Sequence, residues 1–448
     1  MKSMGRKFII KSIWLFGFIV LISLNSCKKD DVIPSKSTGT FDNKVATTWF
    51  ETYRTLTKKG AGFSPPVAAR AFGYCGVTLY ETVVPGIENG RSFSGQLSEL
   101  TNLPVPDSDV EINYEIAANA ALADAARFYY ANMSDSLLNV VDELESSLEQ
   151  EFATNTSAEI IYESRVYGKA MSAAIYQWSK TDGGHEGYLN NFPASYVVPT
   201  GDGYWVPTGP ALIPLQPYWG QNRTFIANCA VNAQPDAPHT SYSEEVGSGF
   251  YNLANEVYTT GINLTQEQKD IAKYWSDDPG NAGTPPGHCV SIATQILKLE
   301  NAKLDKAALT YALVGIAVSD AFVACWKCKF HYNLIRPVSY IKAHIDNNWN
   351  TLLSTPPFPE FTSGHSSQSA AFASVMTSLY GDNYIFTDYT HQNRTDINGS
   401  PRHFSSFQAC ADEAAVSRLY GGIHYREGNE AGKVMGNKIG SMVMGLDF

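Results

Sequence analysis

An all-α fold of two packed helical bundles is the architecture that this 448-residue chain predicts, on three observations. Apolar residues recur at three- and four-residue spacing through segment after segment, the period of a helix with one buried face. Alternating, strand-like runs are scarce. Hydrophobic residues make up 44% of the chain and charged residues only 17%, with 25 Tyr, 22 Phe and 8 Trp, a composition that buries a large core and argues against a disordered chain or a coiled coil. The length accommodates two bundles sharing one interior. Lys and Arg total 33 against 44 Asp and Glu, a net charge of −11, and no basic block follows the first residues. A nucleic-acid partner is therefore not expected, and any anion chemistry must be local.

The elements follow in chain order. Lys2, Arg6 and Lys11 precede an apolar run over 13–24 that is too short to span a membrane comfortably, which reads as a secretory signal over 1–26. The sequence Leu24-Asn25-Ser26-Cys27 resembles the lipobox of bacterial lipoproteins, which implies acylation of Cys27. Lys28-Lys29-Asp30-Asp31 resembles the export tag of some Bacteroidetes lipoproteins, which implies an outer-membrane or periplasmic lipoprotein attached by its lipid alone. Residues 27–42 read as a polar tether.

Helical periodicity over 45–58, 66–84, 110–131, 134–152 and 158–181 builds an N-terminal bundle spanning 43–181. From 182 to 243 the pattern breaks into Gly, Pro and aromatics, as in Tyr204-Trp205-Val206-Pro207, a long loop region that covers something. Periodicity resumes over 242–258, 265–275, 287–299, 306–330, 366–380, 412–420 and 429–444, giving a C-terminal catalytic bundle at 244–448. Residues 307–326 carry one charge, Asp320, and approach the length of a membrane span. With amphipathic helices on both sides, they read as the central helix of the bundle. The six cysteines after Cys27 have irregular spacings and are assigned no disulfides, and Cys325-x-x-Cys328 lacks a second pair at zinc spacing.

Three separated segments carry chemistry. Lys329 and Arg336 stand seven residues apart, so a helix continuing to Pro337 would present both from one face. Phe361-Thr362-Ser363-Gly364-His365 sets a hydroxyl, an open glycine amide and an imidazole at a helix N-terminus, where free N–H groups favour an oxyanion. Ser417-Arg418 and Gly421-Gly422-Ile423-His424 let a cation and a second imidazole converge across a helix end. Singly, these are a snorkelling helix end, an N-cap and a core histidine. Jointly they supply three fixed cations, a helix N-terminus and two imidazoles. The other seven histidines receive no catalytic role.

Their order and spacing resemble the signature shared by vanadium-dependent haloperoxidases and type-2 phosphatidic acid phosphatases. Asp320-Ala321, Trp326 and Pro357-Phe358-Pro359 make the resemblance closer to the chloroperoxidase branch, and it covers about 275–444 well. It implies a vanadate cofactor on His424, with Lys329, Arg336, Arg418, the Ser363 hydroxyl and the Gly364 amide neutralising the oxyanion. His365 would be the acid–base group, Lys329 would polarise peroxide, and hydrogen peroxide and halide would be the substrates. Trp326 and Phe358 fall on positions that line the halide side, and Asp278 on one that braces an active-site Arg. Under the phosphatase alternative, a soluble phosphomonoesterase binds phosphate, His424 is the nucleophile and His365 protonates the leaving group. A third reading, a glycan-binding surface lipoprotein, draws on the Trp and Tyr of 188–218 and leaves the cation and histidine spacings unexplained.

The chain departs from the pattern twice. Thr362 stands where the family has Pro, and Gly428 stands four residues after His424 where it carries an Asp. Glu427 or Asn429 could reach a similar place; if neither does, the orientation and basicity of His424 are less well fixed.

Overall fold

The computed structural model describes residues 35–448 except 210, 279 and 281. The expected signal (1–26), acylated Cys27 and the start of the tether lie outside the described residues. Residues 35–42 are docked rather than free: the Ser35 hydroxyl accepts from the Ile112 amide at 2.8 Å, and the buried Thr38 hydroxyl donates to Gly86 O at 3.0 Å. Folded structure therefore begins before residue 43.

Five helices form the first half: α1 (Lys44–Lys59), α2 (Pro65–Val83), α3 (Tyr114–Tyr129), α4 (Asp135–Phe152) and α5 (Ala158–Ser179). Their starts follow local chemistry. Pro65 occupies the first turn of α2, where its missing N–H costs nothing, and the Asn113 side chain caps α3 by accepting from the Glu115 and Ile116 amides. The second half contains α6 (Cys229–Asn232), α7 (Gly249–Ile262), α8 (Gln266–Tyr274), α9 (Thr284–Leu299), α10 (Leu304–Tyr332), α11 (Pro337–His344), α12 (Gly364–Tyr380), α13 (Phe407–Tyr420) and α14 (Arg426–Val443). The strands among the described residues are β1 (Phe386–Asp388) and β2 (Arg402–Phe404), an antiparallel pair with Phe386 opposite Phe404.

Two boundaries differ from the periodicity for reasons of capping. Helix α13 begins five residues before the expected 412, because Ser406 caps it through the Ala409 amide, and α7 begins at 249 behind the Ser248 cap.

Helix α10 is apolar and long enough to cross a membrane by composition, but 94% of its most apolar 18-residue window is buried inside the protein. It is the central core helix, and α2 lies directly against it. A Cβ at Gly76 would stand 2.5 Å from Tyr311 O, and one at Gly315 2.9 Å from Gly73 Cα, so bare backbones set this approach. A second close pair, α12 and α14, uses Gly432 and Gly436: a Cβ at the latter would lie 2.2 Å from Ser367 O. One hydrophobic core runs through both halves of the chain, with a smaller cluster around Phe250, Tyr340, Trp349 and Tyr425.

The long loop region is pinned by buried carboxylates. Asp320 on α10 accepts from the Phe225 and Ile226 amides at 2.7 and 2.9 Å, and Asp182 accepts from Arg70 Nε at 2.7 Å and Tyr74 OH at 2.8 Å. Removing one partner of the buried Arg70–Asp182 pair would cost about 3–5 kcal/mol. The Leu215 amide donates to Pro357 O at 2.8 Å, and this bond brings the loop over the Ser-Gly-His segment.

Candidate active site

Three chain segments meet below this loop. Helix α10 ends at Tyr332 because Asn333 adopts the left-handed region (φ 48°), and Arg336 lies beyond it in extended conformation as the N-cap of α11. Lys329 and Arg336 therefore do not share a helix face as the spacing suggested. Pro337 also starts α11 rather than stopping α10, since proline suits the first helical turn. The chain reversal still brings both cations to one place.

Lys329 is fully buried, and its Nζ donates to Pro359 O at 3.0 Å, to Glu360 O at 2.9 Å and to Thr362 O. All three ammonium hydrogens thus hold the main chain ahead of α12. Burial lowers its pKa to about 8, with Arg336 adding to the shift. Arg336 donates through Nε to Phe358 O at 2.9 Å and through Nη1 to Ile423 O at 2.6 Å, with His424 Nε2 3.1 Å from Nη1.

At the start of α12, Ser363 caps the helix through the Ser366 amide at 3.4 Å, and the first N–H groups, at Gly364 and His365, have no partner within the helix. The Phe361–Thr362 peptide is cis at the position where the family has Pro. Arg418 projects from the last turn of α13 and donates to Trp275 O. His424 follows the Gly421-Gly422 turn, buried at the head of α14.

Orphaned donors mark the centre of this arrangement. Among the described residues, Arg336 Nη2, Arg418 Nε and His365 Nε2 are enclosed without hydrogen-bond partners. Buried polar groups rarely stay unpaired, so a cradle of two guanidinium groups, an imidazole and a helix N-terminus fits a tetrahedral oxyanion such as vanadate or phosphate. Burial lowers the pKa values of Arg336 and Arg418 to about 10, which leaves both charged near neutrality. His365 and His424 are held well below the ordinary imidazole range, first by burial, with Arg418 acting on His365 and Arg336 on His424. Both rings are neutral at pH 7.

The cradle opens into a cavity of about 280 Å³ lined by Gly364, His365, Arg418 and His424 on its floor. Its walls are mostly apolar, with Pro65, Leu215, Pro285, Phe322, Trp326, Leu353, Pro356, Pro357 and Phe358, and carry a polar edge at 276–278 and 354–355. Trp326 and Phe358 both line the cavity wall, with ring centroids 4.9 Å apart. Lys329, Arg336 and Ser363 lie behind the floor rather than on the cavity wall.

Two expectations are corrected. Asp278 borders the cavity and its charge favours the Arg418 cation, but among the described residues no hydrogen bond or ion pair joins them, because the side chain is exposed. The buried carboxylate is the preceding Asp277. Neither Glu427 nor Asn429 reaches His424: Glu427 accepts from the His239 and Thr240 amides, and Asn429 Oδ1 accepts from the Ser366 hydroxyl at 3.4 Å. The carboxylate on His424 is instead Glu360, whose Oε1 lies 2.7 Å from Nδ1 and also accepts the Tyr425 amide at 3.1 Å. Burial raises the Glu360 carboxyl to about 7, opposed by Lys329 and Arg336.

Sequence reasoning also missed a polar network behind the cradle. His288, one of the histidines given no catalytic role, is buried on α9, with Nδ1 2.9 Å from Asp277 Oδ2 and Nε2 2.7 Å from Asp388 Oδ2. His391 Nε2 lies 3.2 Å from Asp277 Oδ1. Burial opposes charge on His288, yet the two carboxylates outweigh it and push its pKa up to about 10. Asp277, His288 and His391 present ligand atoms within 4.8 Å of one another, but hydrogen bonds already engage both nitrogens of His288 and all four oxygens of Asp277 and Asp388. Protons account for this cluster.

Comparison with known proteins matches the model of the VCPO second helical-bundle domain over residues 309–446. The curated vanadium chloroperoxidase of Curvularia inaequalis is 27% identical over 211 residues, 34% of this chain, and the match spans 35% of that relative's length. A crystal structure of a bacterial vanadium-dependent iodoperoxidase is 33% identical, covers 90% of this chain and 96% of its own, and superposes with a TM-score of 0.79. A bacterial vanadium-dependent chloroperoxidase in its holo form, 14% identical over 86% of this chain and 93% of its own, shares the fold at a TM-score of 0.61. With the fold, the oxyanion cradle and a 33% identical relative covered almost end to end, the chain belongs to the vanadium-dependent haloperoxidase family.

Proposed function

We propose that this protein is a vanadate-dependent haloperoxidase that oxidises a halide with hydrogen peroxide. The observation that carries the reading is the setting of His424: Nδ1 is engaged by Glu360, Nε2 lies 3.1 Å from Arg336 Nη1, and Arg336 Nη2 and Arg418 Nε are buried without partners beside a largely apolar cavity. The near end-to-end similarity to an iodoperoxidase supports the same activity class.

Vanadate, when bound, supplies a Lewis-acidic centre that makes peroxide electrophilic towards halide. His424 Nε2 would hold it. Arg336 Nη2, Arg418 Nε, the Ser363 hydroxyl and the amides at Gly364 and His365 would bind its oxygens, with no reorganisation charged to the reaction because their scaffold is fixed. Half-buried His365, neutral and with Nε2 unpaired, is placed to take and return a proton at the cavity floor. Trp326, Phe358 and Phe322 exclude water from the place a halide would occupy. Lys329 acts from behind, fixing the 359–362 main chain through its three hydrogen bonds and adding positive potential.

The second reading, a phosphomonoesterase, draws on the same two observations, a neutral His424 Nε2 as nucleophile and His365 as acid for the leaving group. We also propose an extracytoplasmic location with a lipid on Cys27, which rests on the residues of 2–31 alone.

The deciding experiment uses chain lacking residues 1–27, with and without orthovanadate, assayed for peroxide-dependent oxidation of iodide and bromide and for p-nitrophenyl phosphate hydrolysis. Vanadate-dependent halide oxidation lost in His424→Ala is the expected result. Phosphate release inhibited by vanadate would establish the phosphatase instead. Neither activity, with orthovanadate leaving the melting temperature unmoved, would overturn the cradle itself.

A further inference from the structure

Helix α14 carries a glycine at 428, one turn after His424, and the space that a side chain would need there is taken. A Cβ built on Gly428 would lie 2.3 Å from Glu360 Oε1 and 2.8 Å from Oε2, and the Glu360 carboxyl group supplies all three of its nearest neighbours. Glu360 is fully buried, and among the described residues its Oε2 has no hydrogen-bond partner. Its main chain is fixed from both directions: its amide donates to Leu334 O at 3.0 Å, and its carbonyl accepts from Lys329 Nζ at 2.9 Å. The carboxylate is therefore delivered to His424 Nδ1 by a clamped backbone, three residues before Ser363, the N-cap of α12.

We infer that Glu360 is the positioning residue for His424, and that Gly428 is its steric counterpart. Together they transfer the orienting carboxylate from the helix that follows the histidine to the irregular segment that precedes α12. This inference rests on the proposed function for its consequence, the holding of an oxyanion at Nε2, but its geometry is independent of which oxyanion binds. The logic is that of the outer carboxylate on a ligating histidine. By accepting the Nδ1 hydrogen it fixes the tautomer, leaves the Nε2 lone pair facing the cavity and stops the ring from rotating. Arg336 Nη1, 3.1 Å from Nε2, donates to that lone pair in the free protein, which requires the same tautomer. The arrangement also gives the segment from Lys329 to Glu360 a purpose beyond folding. Lys329 holds the main chain at 359, 360 and 362, and through Glu360 it sets where His424 points.

The test has two arms on the full mature chain. In the first, orthovanadate affinity is measured by calorimetry in wild type, Glu360→Gln, Gly428→Asp and the double exchange Glu360→Gly with Gly428→Asp. Loss of such an outer partner typically costs about 10–100-fold in affinity, and Glu360→Gln is expected to fall in that range. Gly428→Asp alone collides with Glu360 and is expected to bind worse. The double exchange, which clears the collision and returns a carboxylate from the helix, is expected to recover most of the loss, a non-additivity that a merely structural role would not produce.

In the second arm, nitrogen-15 chemical shifts of His424 are read without any anion. A single Nδ1–H tautomer in wild type that becomes mixed in Glu360→Gln supports the inference. Wild-type affinity and an unchanged tautomer in folded Glu360→Gln would overturn it, as would a double exchange no better than its worse parent. If wild type binds neither vanadate nor phosphate, the functional reading fails, and the tautomer measurement alone decides the role of Glu360.

Discussion

The indole of Trp275 lies nearly flat on the imidazole of His288, with ring centroids 4.6 Å apart and 19° between planes. The carbonyl of the same tryptophan accepts the Nη1 hydrogen of Arg418. One residue thus joins a cation of the oxyanion cradle to the Asp277–His288–Asp388 network, so the placement of Arg418 depends on charges buried outside the cradle.

Replacing that central cation should therefore be felt twice. His288→Asn leaves two carboxylates buried with no positive partner between them, and breaking such a pair costs about 3–5 kcal/mol. Chemical denaturation should show a loss of that size, and calorimetry of the variant still folded at low temperature should show weakened orthovanadate binding through a misplaced Arg418. A loss of stability below about 1 kcal/mol would contradict the charged network.

Stability should also depend on pH with a definite sign. The folded-state pKa of His288 is raised from about 6.5 to about 10, so its contribution is fully present below the unfolded value and is lost as pH rises through about 10. Asp277 and Asp388 shift the other way: burial opposes their ionisation, but contact with His288 outweighs it and depresses both. Their contribution is present above about 3.9 and is lost as pH falls further. Melting temperature against pH should accordingly show an alkaline decline that His288→Asn abolishes.

Lys329 makes a structural prediction distinct from its expected chemistry. Lys329→Met leaves the carbonyls of Pro359 and Glu360 buried without a donor and that of Thr362 with only the Cys325 thiol at 3.5 Å, and each unsatisfied group costs about 1–3 kcal/mol. Unfolding should move to lower denaturant, and amide exchange at 360–365 should accelerate more than in the helices away from the site. If exchange there stays at wild-type rates, Lys329 does not hold this segment.

The contact between α12 and α14 can be probed at Gly436. A methyl group there meets Ser367 O at 2.2 Å, and overpacking of this kind costs about 1–3 kcal/mol. Because α12 carries Ser363 and Gly364 while His424 precedes α14, Gly436→Ala should lower anion affinity as well as melting temperature. A drop in stability with unchanged affinity would show that the site tolerates a wider helix spacing.

The residues that bear chemistry were legible because their signal is local in sequence. Lys329, Arg336, Ser363, Gly364, His365, Arg418 and His424 stand in short motifs, and the structure brings all seven together even though Asn333 takes Arg336 off the helix its spacing suggested. The supporting carboxylates were not legible, because tertiary packing creates them. Glu360 meets His424 across 64 residues and Asp388 meets His288 across 100, with no periodicity to connect either pair. At 277–278 the stretch was identified but the partner was off by one: Asp277 turns inward from a left-handed backbone position (φ 48°), which period-based reading does not anticipate. Helix existence was read well, whereas starts such as Phe407 were set by a single cap hydroxyl.

The cavity draws its floor from one stretch of the chain and its walls from two. Gly364, His365, Arg418 and His424 fall within 309–446, whereas Pro65, Leu215, Asp277 and Pro285 lie before it. A polypeptide trimmed to that segment would keep the floor side chains but lose the Trp275 carbonyl that holds Arg418, together with Pro65, Leu215 and Pro285 from the walls, so the upstream chain serves both the grip on an anion and its shelter. Substitutions at Pro65, Leu215 and Pro285 can reshape what enters the pocket while leaving the floor side chains as they are, whereas Asp277 is tied to Arg418 through the buried network.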